Sequence, residues 1–290
     1  MEGLLLVDKP EGMSSHDVVN RVRRLSGVRR VGHAGTLDPL ATGLLLVSIG
    51  RVTRLNEYLV GHDKKYAATV RLGQSTNTYD AEGEVSEERP FTAITPATIA
   101  NALPAFRGTI QQRPPIYSAI KKDGQPLYKL ARKGIEVDIP TREITIYALD
   151  VLDYSPPFLQ LDIHCSSGTY IRSIAHDLGE AMGCGGHITA LRRTAVNEFD
   201  IQNAIPLDQL TPDNITNYLL PPDTAVTTFP RLDLSTKQAD DLLLGRFIER
   251  TDGSEIGTLA RIFDENGRFI GIAIAADTAW RPKKMFHPTK

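Results

Sequence analysis

The 290-residue chain has only two cysteines, Cys165 and Cys184, in unrelated contexts and without CxxC spacing. That excludes a disulfide framework and points to a reducing compartment, with both thiols read as buried or half-buried side chains. No stretch approaches the roughly 18 apolar residues that a membrane span needs. The apolar run after Met1 is too short for a signal-peptide core and has no basic lead-in, so a cytoplasmic protein with no membrane contact is expected. The seven histidines include no HxxxH pair and have no cysteine partner at zinc spacing, so no metal site is expected. A phosphate loop is excluded by the lack of a Gly-Lys-Ser/Thr run, and a serine hydrolase lacks its GxSxG elbow. Basic charge is not in excess either: the formal net charge is -2, which does not advertise a nucleic-acid binder. The distribution of charge matters more than its sum.

What is present is an ordinary globular composition, 41% hydrophobic and 23% charged. At roughly 150 residues per domain, the length allows one large domain with a smaller one. Gly3 to Val7 reads as a buried strand, and Ser14 or Ser15 caps a helix whose Val18, Val19, Val22 and Leu25 share one face before Gly27 stops it. A loop rich in glycine and threonine follows, then a strand from Leu44 to Ile49 and a short helix with Val52, Leu55 and Leu59 on one face. Tyr66 to Leu72 alternates as a strand. The polar run from Asp80 to Pro90 reads as a surface excursion, and Thr95-Pro96 as a helix start. A long segment dense in Gln, Pro, Tyr and Lys, about 109–134, has the length of a functional loop. Strands are expected at Ile144 to Asp153 and Leu159 to Cys165, then a helix with Ile171, Ile174, Leu178 and Met182 inward. Pro221-Pro222 and Phe229-Pro230 bracket a boundary, giving domains 1–228 and 229–290. Beyond it come a helix capped by Ser235 and three short strands, Phe247 to Arg250, Gly257 to Phe263 and Phe269 to Ala275, which predict a compact β-barrel. The fold class is α+β, a mixed or antiparallel sheet domain with a small C-terminal β domain.

Three glycines, a histidine, an aspartate and a proline crowd into Val31-Gly32-His33-Ala34-Gly35-Thr36-Leu37-Asp38-Pro39-Leu40-Ala41-Thr42-Gly43. Pro39 restricts Asp38 to extended backbone and so fixes where its carboxylate points. Two readings of Asp38 stay open on spacing alone: a catalytic carboxylate, or a loop brace that accepts backbone N–H bonds. Tyr66 and Tyr170 read as core or edge residues. Arg172 is odder, because a helix dipole disfavours a cation near its N-terminus, so a carboxylate partner is expected. Basic residues cluster at Arg21, Arg23, Arg24, Arg29 and Arg30, at Lys121-Lys122, at Lys129, Arg132 and Lys133, and at Arg192-Arg193.

Taken in order, these stretches resemble the bacterial TruB tRNA pseudouridine-55 synthases over essentially the whole chain. Lys9-Pro10-Glu11-Gly12-Met13-Ser14-Ser15-His16-Asp17 resembles the first motif, with Ser14 where threonine is usual. The Val31 to Gly43 run resembles the motif of the catalytic aspartate. Asp63-Lys64-Lys65-Tyr66 resembles the motif of the active-site tyrosine, and Gln112-Arg113-Pro114-Pro115-Ile116-Tyr117-Ser118-Ala119 the start of an RNA-gripping thumb loop. Cys165 to Arg172 and Thr189 to Thr194 resemble the last two. Two departures stand out. Ala195-Val196-Asn197-Glu198-Phe199 lacks the family's glycine before the phenylalanine, and Trp280 to Phe286 is only loosely like the family's PUA-type RNA-binding domain.

The resemblance implies a cofactor-free and metal-free isomerase acting on the T-arm stem-loop of tRNA. Asp38 would be its carboxylate, Arg172 the ion-pair partner that lowers its pKa, and Tyr66 the ring stacked on a flipped uracil. Tyr170 and Leu191 would line an apolar wall, His33 would fill the space vacated in the RNA, and Lys9 with Pro10 would brace the floor. Arg192, Arg193, the Arg21 to Arg30 group and the thumb lysines would grip phosphates. Tyr117 and Tyr128 would pack on RNA or within the thumb itself. A monomer is expected, since RNA must wrap an open cleft. Two other readings remain: a tRNA-folding chaperone with dispensable catalysis, and the catalytic subunit of a guide-RNA particle, which usually carries extended basic tails.

Overall fold

The computed structural model describes residues 1–117, 121–122, 125–126 and 139–287. Its strands in chain order are β1 (Gly3–Lys9), β2 (Val31–Ala34), β3 (Thr42–Ile49), β4 (Lys64–Leu72), β5 (Gln74–Thr76), β6 (Val85–Glu88) and β7 (Gly108–Gln112). After the two-residue β8 (Lys121–Lys122) and β9 (Gln125–Pro126) come β10 (Arg142–Ser155), β11 (Phe158–Cys165), β12 (Gly186–Val196), β13 (Phe199–Asp200), β14 (Ile205–Pro206) and β15 (Leu219–Leu220). The C-terminal set is β16 (Arg231–Asp233), β17 (Ile248–Glu249), β18 (Leu259–Phe263), β19 (Phe269–Ala275) and β20 (Ala279–Met285).

One large mixed sheet runs in the order β14-β1-β3-β12-β4-β11-β10-β7, with β2, β13 and β15 paired at its flanks. Most of its pairs are antiparallel. Two halves meet where β3 and β12 run parallel for only two residue pairs, Arg192 with Thr42 and Arg193 with Gly43. Gly43 makes that seam possible. Its φ is +98° and a Cβ there would lie 2.3 Å from the Arg193 carbonyl oxygen, so only glycine lets the two backbones approach.

Each half has its own apolar layer. Beside β1 and β3, the helix Ser15–Ser26 buries Val18, Val19 and Val22, with Leu25 partly covered. A capping box between Ser14 and Asp17 starts this helix, and Gly27 at φ +65° ends it. In the other half, Ile171, Ile174 and Leu178 of the helix Ile171–Ala181 pack with Val70, Leu161, Ile163 and Ile188 from the sheet. Helix Pro96–Ala102 starts at Thr95 with proline in its first turn, as expected.

The structure departs from the sequence expectations in several places. The aspartate loop is preceded by a short strand, β2. The run beginning at Asp80 is not wholly a surface excursion, because Asp80 is buried. Beyond residue 229 the described residues form five strands instead of three, in the order β16-β18-β19-β20-β17, curled into a half-barrel with helix Thr236–Leu243 against it. Much of the expected thumb lies outside the described residues, including Tyr128, Lys129, Arg132 and Lys133. In the Ala195 to Phe199 stretch, where a glycine was expected and is missing, Asn197 takes the left-handed conformation (φ +49°) in the turn joining β12 to β13. Among the described residues no helix is long and apolar enough to cross a membrane.

Candidate active site

The loop carrying Asp38 hangs from four anchors. Ser15 Oγ accepts from the Leu37 amide at 2.8 Å and lies 3.0 Å from the Leu37 carbonyl oxygen. Lys9, fully buried, donates its ammonium to the carbonyls of Pro10, Met13 and Pro39 at 2.9, 2.5 and 3.2 Å. Gly12 donates its amide to Pro39 O at 2.9 Å. Arg193 donates to Gly35 O at 3.0 Å and to Leu44 O at 2.7 Å. Such backbone acceptors satisfy buried cations without a counter-charge. Burial still pushes the Lys9 amine down to about 8.

At the start of helix Ile171–Ala181, Arg172 meets two carboxylates. Its Nε lies 3.0 Å from Asp38 Oδ2, and its Nη1 lies 3.0 Å from Asp80 Oδ2. Nη1 also donates to Thr78 O and Nη2 to Tyr117 O, each at 3.0 Å. Thus Asp38 faces a guanidinium whose other nitrogens are already fixed. Asp80 reaches it from a sharp bend at Tyr79, which holds φ +64° while its ring stacks on His176 with centroids 3.8 Å apart. The ion pair does not leave Asp38 an ordinary acid. Withdrawal from bulk water into the cleft raises its pKa, Arg172 opposes this, and Asp80 reinforces it. That reverses the lowering expected from the salt bridge alone. Glu82 is pushed up as well, by burial first and by Asp80 and Asp38 next.

Tyr66 stands on β4 opposite Arg193 of β12, buried, with burial raising its hydroxyl pKa against the pull of that guanidinium. It is therefore a neutral hydroxyl at physiological pH. Lys64 is turned inward onto the Val60 and His62 carbonyls. At Tyr170, the residue before the helix, backbone N and O pair with the Gln112 side chain at 2.8 and 2.9 Å, which ties the root of the 109–134 segment to the site. Asp38, Tyr66, Asp80, Tyr170, Arg172 and Leu191 are among the residues that line a cleft of about 1090 Å³. That is the upper end of the range for a small-molecule pocket.

Not every expected site residue is placed as expected. Arg193, expected to grip phosphates, borders the cleft but is 1% exposed and committed to the Gly35 and Leu44 carbonyls, as an internal brace. Arg192 is half-exposed and paired with Asp8 at 2.6 Å. His33 sits on β2 outside the cleft lining, with Nδ1 unpaired among the described residues. Asp80 and Arg142 were missed. A carboxylate partner for Arg172 was expected from the helix dipole, but nothing in the sequence marked a second one. Among the described residues no group of three or more His, Cys, Asp or Glu could hold a metal ion.

Comparison with known proteins meets this geometry from outside. Residues 23–171 match the model of the "TruB family pseudouridylate synthase (N terminal domain)", 172–227 that of the "tRNA pseudouridylate synthase B C-terminal domain", and 230–286 that of "Pseudouridine synthase II TruB, C-terminal". The tRNA pseudouridine synthase B of Haemophilus influenzae (strain 86-028NP) is 41% identical, with 98% of this chain and 95% of that one aligned. That of Pseudomonas aeruginosa (strain UCBPP-PA14) is 43% identical over 96% of this chain and 93% of that one. A chain in the solved structure of an H/ACA ribonucleoprotein bound to a substrate RNA containing 2′-deoxyuridine shares the fold. Its TM-score is 0.75 at 22% identity, covering 99% of this chain and 85% of that one.

Proposed function

The chain belongs to the TruB family of pseudouridine synthases, and from that premise we propose that it isomerises uridine 55 in the T loop of tRNA, with Asp38 as the reacting carboxylate. The observation that carries the assignment to Asp38 is its placement: a carboxylate 3.0 Å from Arg172 in a cleft that Tyr66 also lines. The reaction breaks N1–C1′, turns the uracil and joins C5 to C1′; no atom is lost, so no cofactor or metal is called for. The ionised carboxylate acts at the sugar, as nucleophile at C1′ or as base at C2′. Arg172 aims it and holds it charged.

The target base is stacked inside the folded T loop and must be extruded to reach the cleft. Tyr66 then stacks on the flipped uracil, its neutral hydroxyl near C5, while Tyr170 and Leu191 form the apolar wall. His33 occupies the gap left in the RNA, and Arg192 contacts the backbone. Residues 1–228 form the catalytic domain, with the thumb at about 109–134, and 229–290 an RNA-binding domain of PUA type. The protein works as a monomer in the cytoplasm.

The test is tritium release from 5-labelled uridine in a T-arm stem-loop, without cofactor and with a chelator present. Wild type releases tritium and Asp38→Ala does not. No release from wild type overturns the activity, whereas release from Asp38→Ala overturns the residue assignment alone.

A further inference from the structure

Among the described residues, four cationic side chains border the cleft: Lys64, Arg142, Arg172 and Arg193. Three are committed to acceptors in the protein. Lys64 is held by two carbonyls, Arg193 by two more, and Arg172 by two carboxylates and two carbonyls. Arg142 differs. It opens β10, and its guanidinium stacks on the Tyr170 ring, 4.3 Å from the centroid. Its Nε and Nη2 are shielded from water and have no acceptor among the described residues. No carboxylate pairs with it there either. Its Nη1 lies over Gly168, where even a Cβ would stand 3.5 Å away.

A guanidinium is a rigid fork of five donors that matches a phosphate or carboxylate. Stacking on Tyr170 fixes the plane of the fork before any ligand arrives, and shielded donors without acceptors favour the arrival of an anion. The acidic side chains of the cleft lining, among them Asp38, Asp80 and Glu82, are of the wrong sign and repel a polyanion. Among the described residues of the cleft lining, Arg142 is therefore the one cation able to receive RNA. We propose that Arg142 binds a backbone phosphate of the RNA at the extruded nucleotide, holding it against Tyr170 with the sugar beside Asp38. This rests on the RNA-substrate reading above.

The experiment measures binding of a T-arm stem-loop to the full chain across a salt series, for wild type, Arg142→Ala and Arg142→Lys. Each phosphate contact contributes roughly 0.7 to 0.9 to the slope of log affinity against log salt. Arg142→Ala lowers the slope by about one and weakens binding at low salt by about tenfold. Arg142→Lys keeps the slope while losing affinity with the fork. Methylphosphonates placed in turn 5′ and 3′ of the target uridine identify the phosphate. One of them weakens wild type as much as Arg142→Ala does, and the two changes combined add nothing further. An unchanged slope, with equal methylphosphonate penalties in wild type and variant, overturns the inference and leaves Arg142 a prop for Tyr170. If Arg142→Ala does not fold, Arg142→Lys carries the same cycle. Failure of wild type to bind or convert the stem-loop strikes instead at the RNA reading itself.

Discussion

Burial and pairing act on the Asp38 carboxylate in opposite directions, and the net shift is upward because the cleft walls withdraw it from water while Asp80 adds a like charge. Two measurable consequences follow from that sign. The proposed chemistry needs the ionised form, so the acid limb of the kcat profile is expected above the ordinary aspartate range, with activity lost as pH falls through it. For stability the linkage runs the other way. An acid whose folded pKa lies above its unfolded one binds its proton more readily when folded, so stability declines as pH rises through that window. Asp38→Asn is therefore expected to melt at a higher temperature than wild type at neutral pH; a lower melting temperature would contradict the upward shift. Asp80 acts through Arg172. Asp80→Asn leaves the guanidinium without its buried partner, and kcat falls about 100-fold, equivalent to about 2.7 kcal/mol, while KM for the stem-loop changes little. Single-turnover kinetics with saturating enzyme check this directly. Arg172 was legible in the sequence because a cation at a helix N-terminus needs an explanation. Asp80 was not, since it stands in a polar run and its neighbour Ala81 is exposed. Only the bend at Tyr79 turns it inward, and φ of +64° at a tyrosine has no sequence signature.

Strands and helices with strong periodicity were readable, and those with weak or broken periodicity were not. The caps Thr95 and Ser235 stand where the sequence places them, and of the two candidates Ser14 and Ser15 it is Ser14 that caps. Each is a local device whose energy comes from one side chain and nearby backbone. Thr95→Ala should accordingly cost about 1 kcal/mol in chemical denaturation and leave turnover alone. β20 escaped notice because Ala279-Trp280-Arg281-Pro282-Lys283-Lys284-Met285 contains a proline and three basic residues, which demote a strand reading. It is tolerated because the pairing with β19 shifts register beside Pro282. β2 escaped because four residues rich in glycine and histidine look like loop. The seam between β3 and β12 is likewise a property of two distant segments. Gly43→Ala forces a Cβ into the Arg193 backbone at an unfavourable φ, and should cost at least about 3 kcal/mol. Because Arg193 also carries Gly35 and Leu44, the same substitution should reduce kcat at temperatures where the variant stays folded. A fully active Gly43→Ala protein would show that the seam does not govern the aspartate loop.

The C-terminal half-barrel is joined to the larger sheet by a common core, which a boundary drawn from prolines does not reveal. Phe286, 4% exposed, packs in one apolar cluster with Leu4, Leu6, Val52 and Leu55 from the first half of the chain and Ile272 from β19. Its ring meets Phe269 edge-on at 5.5 Å, and the guanidiniums of Arg51 and Arg54 lie 5.6 and 5.5 Å from its centroid. Arg54 also donates to Met285 O at 2.7 Å, and Tyr58 packs edge-on against Phe229 at 5.2 Å. These contacts link the face of β1 and the Val52–Leu59 segment to the last strand. None of these pairings could be read from spacing, because the partners that join the two parts stand 171 residues (Tyr58 and Phe229) or more apart in the chain. A shared core has a definite thermodynamic signature. If the two parts fold as one unit, calorimetry of wild type gives a single transition, and Phe286→Ala lowers that transition as a whole by about 3 kcal/mol without splitting it. Independent domains would instead give two transitions, of which only the C-terminal one moved. The cleft is built entirely from residues before 194, so Phe286→Ala should keep wild-type kcat at temperatures well below its melting point and lose it in step with the single transition.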